Sequence, residues 1–146
     1  MNILVINGAN LNMLGKREPE LYGEDTLEDI NNFLASSFPK VKFEFFQSNY
    51  EGVIVEKIQQ ADCDAVIINA AAHTHYSIAI RDAVLIRKDL PFVEVHLTDP
   101  KSREEFRKVS LLEDVCLATF AGKKKYSYFD AVKYLLDLQK EKHDGI

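Results

Sequence analysis

The chain has 146 residues and a formal net charge of −5, long enough for one domain, 1–146, with a sizeable core. The acidic balance argues against a nucleic-acid partner, which selects for a basic face, but leaves an anionic small molecule open because local charge decides that. No apolar run approaches the roughly 18 residues of a membrane span and no basic, apolar leader opens the chain, so a cytoplasmic protein with no membrane partner is expected.

In chain order, Ile3–Asn7 is a continuous apolar run, the pattern of a strand buried on both faces. A long loop with no regular pattern follows, NGANLNMLGKREPELYG over residues 7–23. Loops of this length in a small domain are usually functional, and Leu11, Met13, Leu14, Leu21 and Tyr22 make this one too apolar for disorder. Asp25 with Glu28 three residues on reads as a capping box, opening a helix that carries Leu27, Ile30, Phe33 and Leu34 to Pro39. Val41–Gln47 alternates apolar and polar residues like a half-exposed strand. Val53–Gln60 reads as a helix, Ala65–Asn69 as a buried strand, Ser77–Arg87 as a helix and Phe92–Leu97 as a strand. Pro100–Lys108 suits a short charged helix or turn, Val115–Phe120 a fifth strand, and Tyr128–Lys142 a closing amphipathic helix. Cys63 and Cys116 lie far apart in apolar sequence, match no metal or redox spacing, and read as small buried hydrophobes.

Strands alternating with helices predict an α/β fold: a flavodoxin-like three-layer sandwich around a five-stranded parallel sheet. Ligands of such sheets bind beyond the carboxyl ends of the strands. The residues there are Asn7, Asn10 and Asn12, then Ser48–Glu51, then Asn69, His73, Thr74 and His75, then His96, Thr98 and Asp99 with Arg103 and Arg107 beyond. Three of the four histidines fall on this one rim.

Three chemistries suit the rim. His73 and His75 with His96 and a carboxylate could hold zinc. A phosphate cradle lacks support, because the first loop has neither glycine-rich fingerprint. Acid–base chemistry on a small polar substrate would use His96 and a tyrosine, with amides and arginines holding oxygens. A phenol of pKa near 10 is a poor base unless a cation favours its anion. Arg17, five residues from Tyr22, could supply that cation, or Tyr22 could simply anchor the loop by packing.

The blocks NGANLNMLGKREPELYG, QSNYEG, INAAAHTHYSIAIRDA and VEVHLTDPKSREEFRKVS, in that order, resemble the type II 3-dehydroquinate dehydratases over nearly the whole chain. The resemblance implies dehydration of 3-dehydroquinate to 3-dehydroshikimate, in the shikimate pathway or in quinate catabolism. It implies an anti elimination through an enolate, no metal or organic cofactor, and a homo-oligomer, a dodecamer of four trimers. By position it implies Tyr22 as the base at C2, Arg17 as its cationic support on a lid from Gly15 to Gly23, and Asn10 as a stabiliser of the enolate. His96 would protonate the departing C1 hydroxyl, with Glu94 orienting its imidazole. Asn69, His75 and Arg107 would hold substrate hydroxyls, Leu97 and Thr98 the carboxylate, and Asp82 would reach a neighbouring subunit's site. Glu94 and His96, two apart on a strand, face the same way, and a carboxylate beside an imidazole favours its protonated form.

The chain departs from the family pattern in places. Ala9 stands where the family has proline, Ala70-Ala71 replaces Pro-Gly, His73 replaces tyrosine and Asp99 replaces asparagine. The glycine-rich segment before the last helix reads Gly122-Lys-Lys-Lys-Tyr-Ser-Tyr128 here. These departures motivate a second reading, a flavodoxin-like small-ligand binding or regulatory module that has lost turnover.

Overall fold

Five parallel strands form one sheet in the order β2-β1-β3-β4-β5: β1 (Asn2–Asn7), β2 (Lys42–Gln47), β3 (Ala65–Asn69), β4 (Phe92–His96) and β5 (Ala118–Ala121). The structure is a computed structural model and describes residues 1–16 and 18–144. The order is that of flavodoxin-like sheets; the alternating pattern predicts the five parallel strands and leaves their order open. Arg17, expected beside Tyr22, lies outside the described residues.

The three central strands β1, β3 and β4 are buried almost throughout, whereas edge strand β2 alternates between half-buried and exposed. This follows from helices covering both faces. Ile3, Val5, Ile67, Val93 and Val95 meet α2 (Leu27–Ser37) and α5 (Lys125–Asp144) through Ile30, Leu34, Val132 and Leu135. Their neighbours Leu4, Ile6, Val66, Ile68 and Phe92 point the other way. They meet α3 (Glu51–Gln60) and α4 (Ile78–Ile86) through Ile54, Ile58, Ile80 and Val84. Each such side chain stabilises the fold by about 1.5–3 kcal/mol relative to exposure.

Several boundaries differ from the sequence reading. The capping box belongs to Thr26 and Asp29, not Asp25 and Glu28: Asp29 N donates to Thr26 Oγ1 at 3.1 Å and Thr26 N donates to Asp29 Oδ2 at 2.9 Å. EDTLED holds two overlapping acid-terminated frames, and this one starts the helix so that Ile30 and Leu34 face the sheet. α3 begins two residues earlier than expected, α5 three earlier, and β5 three later, because Leu117 is still more than half exposed. Pro100–Lys108 resolves into two short 3-10 turns, Pro100–Ser102 and Glu105–Arg107. The long loop contains one helical turn, α1 (Pro19–Tyr22), that periodicity did not reveal. The cysteines are half-buried and free; burial, and the nearby Glu94 charge, push the Cys116 thiol up to about 12, so it is unreactive.

The carboxyl ends of β1, β3 and β4 are tied together. Asn7 faces Asn69 across the β1–β3 pair, and Gly8 N donates to the Asn69 carbonyl at 2.8 Å. A Cβ on Gly8 would sit 2.3 Å from the Ala70 carbonyl oxygen, so only glycine lets the chain leave β1 this close to β3.

Candidate active site

A cleft opens over those strand ends, walled by Leu11 after β1, Asn69, Ala71 and His75 after β3, and His96, Leu97 and Thr98 after β4. Tyr22 from α1 and the guanidinium-bearing Arg103 and Arg107 close its remaining side. Of the residues expected to act on substrate, Tyr22, His96, Asn69, His75, Leu97, Thr98 and Arg107 therefore meet in one place. Asn10 and Asp82 do not line it. Asn10 is exposed and adopts a left-handed backbone, φ 69°, with its N–H donating to Asn49 Oδ1 at 2.9 Å. Gln47 Nε2 donates to the Gly8 carbonyl and to Asn49 Oδ1 at 3.1 and 3.0 Å. These bonds hold the front of the loop even though Ala9 lacks the ring of a proline. Asp82 is exposed on α4.

Tyr22 is 8 % exposed and packs into the core beneath the loop, so anchoring and chemistry are compatible in one residue. Its hydroxyl accepts from Arg103 Nη1 at 2.8 Å, and the Arg103 guanidinium also stands over its ring at 5.3 Å. A cation thus touches the phenol oxygen from a second position, 81 residues along the chain. Loop spacing pointed only to Arg17; the REEFR motif held Arg103, but no local signal paired it with Tyr22. Glu104 sets both arginines, with Arg107 Nε at 3.1 Å from one carboxylate oxygen and Arg103 Nε at 3.7 Å from the other. Its carboxyl is held below the usual range, first by its own backbone N–H, then by Arg107.

His96 lines the cleft and Glu94 stands behind it. His96 Nε2 donates to Glu94 Oε2 at 2.7 Å, which leaves Nδ1 as the nitrogen for a ligand. Glu94 is wholly buried. Burial alone would raise its pKa, but the His96 hydrogen bond and charge, then Ser110 and Thr119, outweigh it and hold the carboxyl below its usual value. The stability it contributes is therefore complete above the ordinary carboxylate range and is lost as pH falls through its lowered native value.

His75 Nδ1 donates to the Val109 carbonyl at 2.8 Å, leaving Nε2 for a ligand. Asn69 sits in a buried chain: its Nδ2 donates to the Tyr128 hydroxyl at 2.9 Å, and that hydroxyl donates to Asn7 Oδ1 at 2.5 Å. Tyr128, from α5, is fully buried and its phenol is pushed well up by burial; the sequence reading saw it only as the start of a helix. Asn69 Oδ1 accepts from Ala71 N at 3.1 Å. His73, counted on the rim, is buried instead. Its Nδ1 meets the Tyr76 hydroxyl at 2.7 Å, and its Nε2 has no partner among the described residues. A zinc reading is not supported, since no three His, Cys, Asp or Glu among the described residues are grouped to hold a metal. Asp99 turns from the cleft to cap the Pro100 turn, accepting from Lys101 N at 3.0 Å.

Two departures from glycine leave a mark in the backbone. Ala71 has φ 55° and Lys124 φ 53°, both in the left-handed region, at positions where the family pattern has glycine. A side chain there costs about 1–2 kcal/mol, partly offset because glycine loses about 0.5–1 kcal/mol more entropy on folding. Ala71→Gly should therefore stabilise the chain, raising Tm by about 2–4 °C in a thermal melt; an unchanged or lower Tm would contradict the strain.

A model of the dehydroquinase class II family matches residues 1–136. The 3-dehydroquinate dehydratase of Pelodictyon phaeoclathratiforme is 48% identical over 142 residues, 94% of this chain and 93% of that protein. That of Francisella philomiragia is 55% identical over 125 residues, 84% of this chain and 85% of that protein. The crystal structure of a type II dehydroquinase from Butyrivibrio crossotus superposes with a TM-score of 0.90 at 41% identity, covering 92% of this chain and 97% of that one. With the flavodoxin-like strand order and the facing Tyr22–Arg103 and His96–Glu94 pairs, this match over nearly the whole chain shows that it belongs to the class II dehydroquinase family.

Proposed function

We propose that this chain is a single catalytic domain that dehydrates 3-dehydroquinate to 3-dehydroshikimate, as a step of the shikimate pathway or of quinate breakdown. The observation that carries the reading is one cleft with a tyrosine hydroxyl held by an arginine on one side and a carboxylate-held histidine on the other. Loss of a proton α to a ketone and loss of hydroxide from the next carbon need a base and an acid in just this relation.

Tyr22, acting as the phenolate with the Arg103 guanidinium at its oxygen, takes the C2 proton. The electron pair moves onto the ketone oxygen, giving an enolate. Collapse of the enolate forms the C1–C2 double bond and expels the C1 oxygen as water, with the proton supplied from His96 Nδ1. Glu94 holds the imidazole in place through Nε2. Arg107, Asn69 and His75 bind substrate hydroxyls, and Leu97 and Thr98 meet the carboxylate. Asn10 stabilises the enolate. No step calls for a metal or organic cofactor.

Mixing the purified protein with 3-dehydroquinate should generate the ultraviolet absorbance of the conjugated product, and absence of product at high protein concentration would sink the activity. Assembly as a dodecamer of four trimers follows the same reading. It is supported by large apolar side chains that stay exposed: Ile78 and Ile86, one turn either side of Asp82 on α4, and Tyr76, Phe106 and Val109 are each more than half exposed, as side chains at an interface are. A second copy covering this face would bring Asp82 to its neighbour's cleft. Sizing in solution at about twelve chains is expected, and a monomer would refute it. No helix among the described residues is long and apolar enough to cross a membrane, which accords with a cytoplasmic enzyme.

A further inference from the structure

Behind the acid, three hydroxyls from three separate segments close on the carboxylate of Glu94. Thr119 of β5 stands directly across from Glu94 in the β4–β5 register, and its Oγ1 donates to Glu94 Oε1 at 2.9 Å. Thr74, in the 3-10 turn Ala71–His75, donates to Oε2 at 3.1 Å. Ser110, in the loop after the Arg107 turn, makes a very short bond to the same oxygen. Ser110 Oγ itself receives the Leu112 N–H at 3.2 Å and lies 2.7 Å from Thr74 Oγ1; with the Ser110 proton given to Glu94, the single proton of Thr74 is shared between Ser110 Oγ and Glu94 Oε2. Leu111 N donates to the Thr74 carbonyl at 2.8 Å, which locks the two segments together.

We propose that Ser110 and Thr119, with Thr74, are positioning residues for the general acid. They form a hydroxyl cage that fixes both oxygens of Glu94 and so fixes the imidazole of His96 against the substrate. The Thr119, Ser110 and His96 hydrogens point inward, and that of Thr74 lies between Ser110 and the carboxylate, an arrangement complementary to an ionised carboxylate. A protonated Glu94 would turn one donor into an acceptor and strand its hydrogen. The cage therefore keeps the negative charge on Glu94 and holds the imidazole where the departing hydroxyl needs it.

Few other charges act on Glu94. On its own strand the titrating neighbour is His96. From the turn before β5 comes the Cys116 thiol, which feels the Glu94 charge. From α4, Arg81 is bound to Asp114. A hollow of about 290 Å³, also lined by His96, brings Asp99, Lys101, Lys108 and Glu113 toward it. Of these, Lys101 is paired with Glu113 and Lys108 with Glu105.

The inference rests on the dehydratase reading, and the experiment separates the two. Thr119→Val and Ser110→Ala remove a donor with little change of shape, and Thr119→Ser retains it. Each is compared with the parent on 3-dehydroquinate across pH. Removing a donor should lower kcat roughly tenfold, a part of the roughly 10²- to 10⁴-fold that a general acid supplies, with KM within about twofold. The acidic limb of the kcat profile should move to higher pH, because a less well solvated Glu94 protonates sooner. Thr119→Ser should recover most of the rate and the parental limb.

Parental kcat and an unmoved limb in folded Thr119→Val and Ser110→Ala overturn the cage while leaving the dehydratase reading intact. So does an equal loss in Thr119→Ser, which would mean packing. An inactive parent removes both. Should Thr119→Val fail to fold, Ser110→Ala carries the test. Titration of the Glu94 carboxyl by ¹³C NMR, read in any folded variant, must then show protonation at higher pH than in the parent, or the cage is refuted.

Discussion

Replacing Tyr22 with phenylalanine should lower kcat on 3-dehydroquinate by roughly 10³-fold, with KM changed no more than about threefold and Tm unmoved. The loss follows from the removal of the group placed to take the C2 proton, since a positioned base is worth about 10²- to 10⁴-fold. The fold should be spared because the ring, not the hydroxyl, packs against the core. Arg103 keeps Thr98 Oγ1 at 3.4 Å as a partner when the phenol oxygen is gone. A variant within threefold of parental kcat would remove Tyr22 from the chemistry and leave it the loop anchor. The same experiment on Arg103 reads the cation's share: Arg103→Met should lose less than Tyr22→Phe, because the base remains.

His96→Ala should be the second large loss, about 10²- to 10³-fold in kcat, because hydroxide is a poor leaving group and the acid that converts it to water has gone. Glu94 would not be stranded by the deletion. Thr74, Ser110 and Thr119 still donate to it, so the variant should fold. It should also lose the acidic limb that the imidazole–carboxylate pair imposes on the pH profile. Free imidazole added to the assay should restore part of the rate by occupying the space left behind. Undiminished kcat in the variant would move the acid elsewhere.

Much of this arrangement was open to reading before any coordinates. The buried strands announce themselves because Ile3–Ile6 and Ala65–Ile68 are apolar without interruption, which only a doubly covered strand requires. Glu94 and His96 share a face by strand alternation, and they do bond. The failures have physical origins too. Arg103 was passed over as a partner for Tyr22 because pairing across 81 residues is a product of the fold, whereas Arg17 was near in sequence. His73 was read as a rim residue by position, but the 3-10 turn rotates its ring inward against Tyr76. Leu117 looked like strand interior by hydrophobicity, yet it stays exposed before β5 begins. Tyr128 closes the segment Gly122–Tyr128, where nothing local tied it to the cleft; its role comes from α5 lying where its hydroxyl meets Asn7 and Asn69.

The chain of bonds from Asn69 through Tyr128 to Asn7 also gives the cleft a grammar of direction. The Tyr128 proton goes to Asn7 Oδ1, so its oxygen must receive from Asn69, and the amide of Asn69 cannot be turned end for end. One Nδ2 hydrogen is used inside, and Oδ1 is engaged by Ala71 N. What Asn69 still offers outward is chiefly its second Nδ2 hydrogen. A ligand atom meeting it must bring a lone pair. A methyl ether at that place on the ring keeps the lone pair and should be tolerated wherever there is room, whereas an ammonium, which brings only hydrogens, should be turned away. A phenol sealed 59 residues away at the root of another helix thereby acts as a filter on which analogues the cleft accepts.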